Sequence, residues 1–60
     1  MKTRQELYDI YDEIYSMPAG PARDEEIFLF VEYLGSNELP IDDAEADILM
    51  GVLEDLSTGG

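Results

Sequence analysis

Leu7, Ile10, Tyr11 and Ile14 recur at three- and four-residue intervals, while Asp9, Asp12, Glu13 and Ser16 fall on the other side of the same segment. Such spacing places one apolar stripe on a rod of about 3.6 residues per turn, and so predicts an amphipathic helix with an acidic back. Thr3 and Glu6 mark its start with the separation of a capping box, and the helix is expected over 4–16. Met17-Pro18-Ala19-Gly20-Pro21 ends it, because two prolines and a glycine do not continue a helical ladder, and Pro21 suits a first helical position.

The second helix is expected over 21–34. Ile27, Phe30, Val31 and Leu34 form its stripe, and Phe28, Leu29 and Tyr33 widen the apolar arc until Glu25 and Glu32 bound it. A rod this apolar is either central to the fold or shared with a second copy; a homodimer through it would cover Leu29 and Tyr33, as neighbouring loops would. The run 27–31 also fits a strand, but Gly35 reads as a helix stop after a 3.6-residue pattern, which favours helix. Ser36 to Pro40 reads as a loop. Asp42 or Asp43 then caps a third helix over 43–57, with Glu45 three residues after Asp42. Leu49, Val52, Leu53 and Leu56 make its buried stripe, Ile48 lies at the margin, and Asp43, Asp47 and Glu54 line the far side. Thr58-Gly59-Gly60 is expected to fray. The pattern therefore predicts an all-α fold, a small three-helix bundle in one domain over 1–60. Its core is expected at Leu7, Ile10, Tyr11 and Ile14, then Ile27, Phe30, Val31 and Leu34, then Leu49, Val52, Leu53 and Leu56.

Length and composition narrow what such a bundle can do. A chain of 60 residues buries only about 60% of the surface that its unfolded form exposes, so its core is thin. Cysteine and histidine are both absent, which removes disulfide stapling and the usual nitrogen and sulfur ligands of zinc. The absence of cysteine fits a reducing compartment, Met1-Lys2-Thr3-Arg4 leads into polar sequence, and the expected location is the cytoplasm, that of a host cell if the chain is phage-encoded. Ile27 to Val31 is the longest apolar run, far short of the roughly 20 residues that span a bilayer.

Charge changes the picture most. Fifteen acidic residues against three basic ones give a formal charge of −12, a field that opposes direct binding to nucleic acid or anionic lipid and attracts basic proteins. A hydrophobic fraction of 45% sets the chain apart from a disordered acidic tail. Many of the acids have a structural explanation: Glu6, Asp24, Glu25, Glu26, Asp42, Asp43 and Glu45 lie in or beside first turns, where the helix end is partly positive. Asp12, Glu13, Glu54 and Asp55 do not, since they lie near C-terminal ends, where the dipole opposes them and lysine or arginine would stabilise. Only Lys2–Glu6 and Arg23–Glu26 have the spacing of compensating pairs.

Repeated departures from a local rule in one direction mark a functional surface. Carboxylates four residues apart on a helix are about 6 Å apart along its axis, a step of the same order as successive phosphates of a nucleic-acid strand. Asp9–Glu13 and Asp43–Asp47 have this step. The candidate partner-binding set is Asp9, Asp12, Glu13, Asp43, Asp47 and Glu54, with Glu25 and Glu32 added, and the expected partner is a basic nucleic-acid-binding protein or complex. In size, charge and helical layout the chain resembles the small acidic proteins that phages use against host defence, DNA mimics and some anti-CRISPR proteins. The resemblance covers the whole chain as composition, and no family residue carries over. It implies an inhibitor that occupies the nucleic-acid channel of a defence complex.

Other chemistries fare worse. Paired carboxylates need a water-excluding cleft to work as acid and base, and there is no nucleophile-activating histidine or Gly-rich phosphate loop, so no catalytic residue and no cofactor are expected. Counted from Asp43, Glu45, Asp47 and Glu54 fall at positions three, five and twelve of a calcium loop, but its turn glycine is replaced by Ile48 and the period is helical, so no metal site is expected. Leu39-Pro40-Ile41-Asp42-Asp43-Ala44-Glu45 resembles part of an acyl carrier protein. The Asp-Ser-Leu that would carry the prosthetic group is missing, and Ser36 reads as a turn residue. The alternative to mimicry is an interaction module, an antitoxin or regulatory subunit, that binds through Phe28, Leu29 and Tyr33.

Overall fold

A computed structural model describes residues 2–59 and shows three helices, α1 (Arg4–Ser16), α2 (Pro21–Ser36) and α3 (Asp43–Ser57), with no strand among the described residues. The segment 27–31 is helical, which decides between the two readings of that run. Of the terminal residues expected to fray, Thr58 caps α3 by donating its backbone N–H to the Glu54 carbonyl, and Gly60 lies outside the described residues.

Each start has its own chemistry. Thr3 accepts from the Glu6 amide at 3.1 Å while the Thr3 amide donates to the Glu6 carboxylate at 2.9 Å, so the capping box is complete. Asp42, not Asp43, caps α3, accepting from the Glu45 amide at 2.8 Å. No side chain caps α2, where Pro21 is preceded by Gly20 at φ +156°, a backbone region open to glycine almost alone.

The end of α2 departs from expectation. Gly35 does not stop the helix; it keeps a helical, negative φ, and α2 continues to Ser36. Asn37 provides the stop instead, with both its backbone N–H and its side-chain Nδ2 donating to the Tyr33 carbonyl. One acceptor near the helix end is thus satisfied twice without a left-handed residue.

The core consists of Leu7 and Ile14 of α1, Ile27, Phe30 and Leu34 of α2, and Leu49 and Leu53 of α3. Ile10, Tyr11, Val31 and Leu56 are half-buried and pack around it, joined by Tyr8, Tyr33, Leu39, Ile41 and Met50. Two expectations fail here. Val52 is half-buried and stands apart from the cluster, because α3 turns its Ala46–Leu49–Leu53 side inward, and Ile48 is 66% exposed. Ala46 takes a core position where a small side chain lets α3 approach its neighbours. The resulting radius of gyration, 10.9 Å, is close to the roughly 10 Å of a packed chain this long. Among the described residues no helix is long and apolar enough to cross a membrane.

Candidate functional site

The side chains of Lys2, Arg4 and Arg23 each reach a helix distant in sequence. Arg4 of α1 pairs with Glu45 of α3 at 3.0 Å, the only ion pair among the described residues, and its guanidinium lies 4.7 Å from the centre of the Tyr8 ring. Lys2 places its ammonium 5.6 Å from the centre of the Tyr33 ring on α2. Arg23 of α2 reaches across to α3 and donates from Nη2 to the Leu56 carbonyl at 2.9 Å, in a partly buried setting where its Nε has no partner. The two local pairs expected from spacing, Lys2–Glu6 and Arg23–Glu26, are not ion-paired; long reach across the bundle prevails over neighbours three or four residues away.

Few carboxylates act within the fold. Glu6 closes the capping box, and the Thr3 amide, then the Thr3 hydroxyl, hold its carboxyl below the usual range, with a smaller contribution from Lys2. Asp42 caps α3. Glu45 receives Arg4 and also the Tyr8 hydroxyl, whose hydrogen bond to it raises the Tyr8 ionisation above the usual phenol value, with desolvation and the Glu45 charge adding and Arg4 opposing. Asp9 accepts from Gln5 at 2.9 Å on the outer side of α1. The remaining carboxylates take part in no side-chain hydrogen bond or ion pair among the described residues.

All eight residues of the candidate set are exposed, but the structure does not gather them onto one face. Asp9, Asp12 and Glu13 lie away from Leu7 and Ile14 on α1, with Glu13 over the α1–α2 seam beside Glu26 and above Ile10 and Met17. Glu25 and Glu32 stand on the outward ridge of α2. Glu54 lies over the α2–α3 seam with Asp24 and Phe28. Asp43 and Asp47 border a cleft at the α2–α3 loop together with Glu38. The fold therefore adds Asp24, Glu26 and Glu38 to these groupings. Sequence reasoning missed them because two sit near a helix start, where an acid needs no further explanation, and the third is in a loop.

No basic residue occupies the last turn of any of the three helices. Glu13 lies in the last turn of α1, and Glu54 and Asp55 in that of α3, toward the unfavourable end of the dipole; at α3 that end also receives Arg23 from α2, which donates to the Leu56 carbonyl and pairs with neither acid. Asp43, Glu45 and Asp47 lie within α3, which excludes the loop geometry of a calcium-binding hand.

Exposed apolar groups are divided in the same way. Phe28 is 64% exposed and Leu29 53%, but neighbours on a helix point about 100° apart, and Glu25 and Glu32 project between them. Phe28 borders the seam with α3, whereas Leu29 borders a shallow groove with Ile10, Tyr33 and Lys2. Tyr8, Tyr11 and Tyr15 form a ladder along α1 with successive ring centres 6.1 Å apart, of which Tyr15 is the exposed end. No family model, curated protein or solved structure matches the chain.

Proposed function

We propose that the protein is an acidic inhibitor that binds a basic nucleic-acid-binding complex and competes with the nucleic acid for its site, in the manner of a DNA mimic or anti-CRISPR protein of a phage. One observation carries the reading. The side chains of Lys2, Arg4 and Arg23 all serve contacts across the fold, while Glu13, Glu54 and Asp55 at helix C-terminal ends are left without side-chain partners among the described residues. At those helix ends folding alone would favour basic residues in place of the carboxylates. Both four-residue carboxylate pairs, Asp9–Glu13 and Asp43–Asp47, lie within helices, which gives them an axial step of about 6 Å. Such a competitor acts where the complex works, in the cytoplasm of the infected cell.

The test is displacement. A labelled oligonucleotide bound to a defence complex should be released by the protein at low salt, and release should weaken steeply as salt rises, because the recognition is driven by charge. If saturating protein leaves the oligonucleotide bound at low salt, the reading is wrong. The rival interaction module is favoured by the exposure of Phe28 and Leu29, although the acidic ridge between them splits the apolar surface that such a module, or a homodimer through α2, would use. Leu29→Asp should abolish partner binding in the rival reading and leave displacement intact in ours.

A further inference from the structure

The end of α2, the loop after it and the start of α3 enclose a cleft of about 430 Å³, within the roughly 300–1,000 Å³ of ligand pockets. It exceeds the 310 Å³ cleft beside Phe28 and the 220 Å³ groove beside Leu29. Leu34, Leu39, Ile41, Ala46 and Met50, all buried or half-buried, make its apolar lining. Glu38, Asp43 and Asp47, all exposed, make its rim, and none of the three cations borders it.

We infer that this cleft takes an arginine side chain of the partner protein. The inference rests on the proposed competition at a basic site and names the group that this part of the surface receives. An apolar interior beneath a rim of carboxylates matches an apolar stem ending in a planar, always-charged head with several N–H donors. An anion is excluded by sign. A bare divalent ion wants several oxygens drawn close together, and no group of three or more carboxylates among the described residues is so arranged.

Gly35 gives a means of testing the cleft. Glycine within a helix is destabilising by about 0.5–1 kcal/mol relative to alanine, yet Gly35 has no positive φ, and a Cβ added there would meet nothing within 4 Å. Neither backbone conformation nor packing requires it. It is exposed and borders the cleft, so a larger side chain at that position is expected to narrow the opening.

The experiment titrates isotope-labelled protein at low salt with the peptide acetyl-Gly-Arg-Gly-amide, alongside the same peptide with citrulline for arginine, and follows the amide resonances. Saturable shifts centred on Gly35, Asn37, Leu39, Ile41, Ala46 and Asp47, and absent with citrulline, are expected. Gly35→Leu leaves the net charge unchanged and should weaken the peptide at least tenfold while melting no lower than the parent; Gly35→Ala should retain binding. Shifts spread evenly over Asp9, Asp12, Glu25 and Glu54, or undiminished affinity in Gly35→Leu, would overturn the assignment. The two proposals separate in the displacement assay. If Gly35→Leu releases the oligonucleotide as well as the parent does, the cleft assignment falls and the competitor stands. If the peptide binds as expected but the parent releases nothing, the competitor falls and the arginine site stands.

Discussion

Replacing Arg23 with methionine would remove the cation that α2 extends to the C-terminal end of α3. Methionine preserves much of the apolar stem, so the change isolates the bond from Nη2 to the Leu56 carbonyl at 2.9 Å. A hydrogen bond from a charged donor contributes about 1.5–3 kcal/mol. Against this, the buried Nε lacks a partner, and its removal returns on the order of 1 kcal/mol. The expected net loss is therefore about 0.5–2 kcal/mol, or about 2–16 °C in melting temperature for a domain of this size. Urea is the denaturant to use, since guanidinium chloride is itself a salt and would screen the charges under study. Arg23→Lys keeps the charge but loses the planar fork, and should fall between the parent and Arg23→Met. A urea midpoint for Arg23→Met corresponding to less than about 0.3 kcal/mol of change would refute the view that this contact fastens α2 to α3.

Three further outcomes follow from the same geometry. Gly51 lies inside α3 with a negative φ and open space where a Cβ would be, so Gly51→Ala should stabilise by about 0.5–1 kcal/mol in urea titrations. Asp42→Ala removes the α3 cap on the Glu45 amide and should lower stability by about 1 kcal/mol in the same assay. Tyr8 has its ionisation raised in the folded state, mainly by the hydrogen bond to Glu45. Its contribution is thus fully present below the unfolded phenol value near 10 and is lost as pH rises through the higher folded value. Circular dichroism across that alkaline range should show the loss in the parent and a flatter profile in Tyr8→Phe.

How much of this was legible in the sequence depends on the range of each interaction. Helices α1 and α3 have the expected bounds because their signals are local: Thr3 with Glu6 at one start, Asp42 with Glu45 at the other. The end of α2 differs from the glycine signal because Gly35 does not turn left-handed, and Asn37 satisfies the Tyr33 carbonyl without that turn. In the core, the large periodic residues were readable, but Ala46 was not, since a small residue carries little hydrophobic signal and its burial depends on where the neighbouring helix lies. The same dependence moved Val52 out of the cluster and left Ile48 exposed.

For the candidate site, the excess of acid and its presence at helix C-terminal ends could be read directly from sequence. The destinations of the cations could not. Arg4 meets Glu45 and Arg23 meets Leu56 across tens of residues, whereas spacing rules see only neighbours three or four apart. The distribution of the acids over two seams, one ridge and the loop cleft is likewise a product of packing, as is the separation of Phe28 from Leu29 by Glu25 and Glu32.

Oligonucleotide displacement by a variant carrying Asp12→Gln, Glu13→Gln, Glu54→Gln and Asp55→Gln together, read by fluorescence anisotropy on a defence complex that the parent empties, probes the purpose of these charges most directly. The account predicts a protein that folds at least as stably as the parent, with self-repulsion relieved, and that no longer releases the oligonucleotide at concentrations where the parent does. Release equal to the parent's would contradict it, and would show that these carboxylates have no part in recognition.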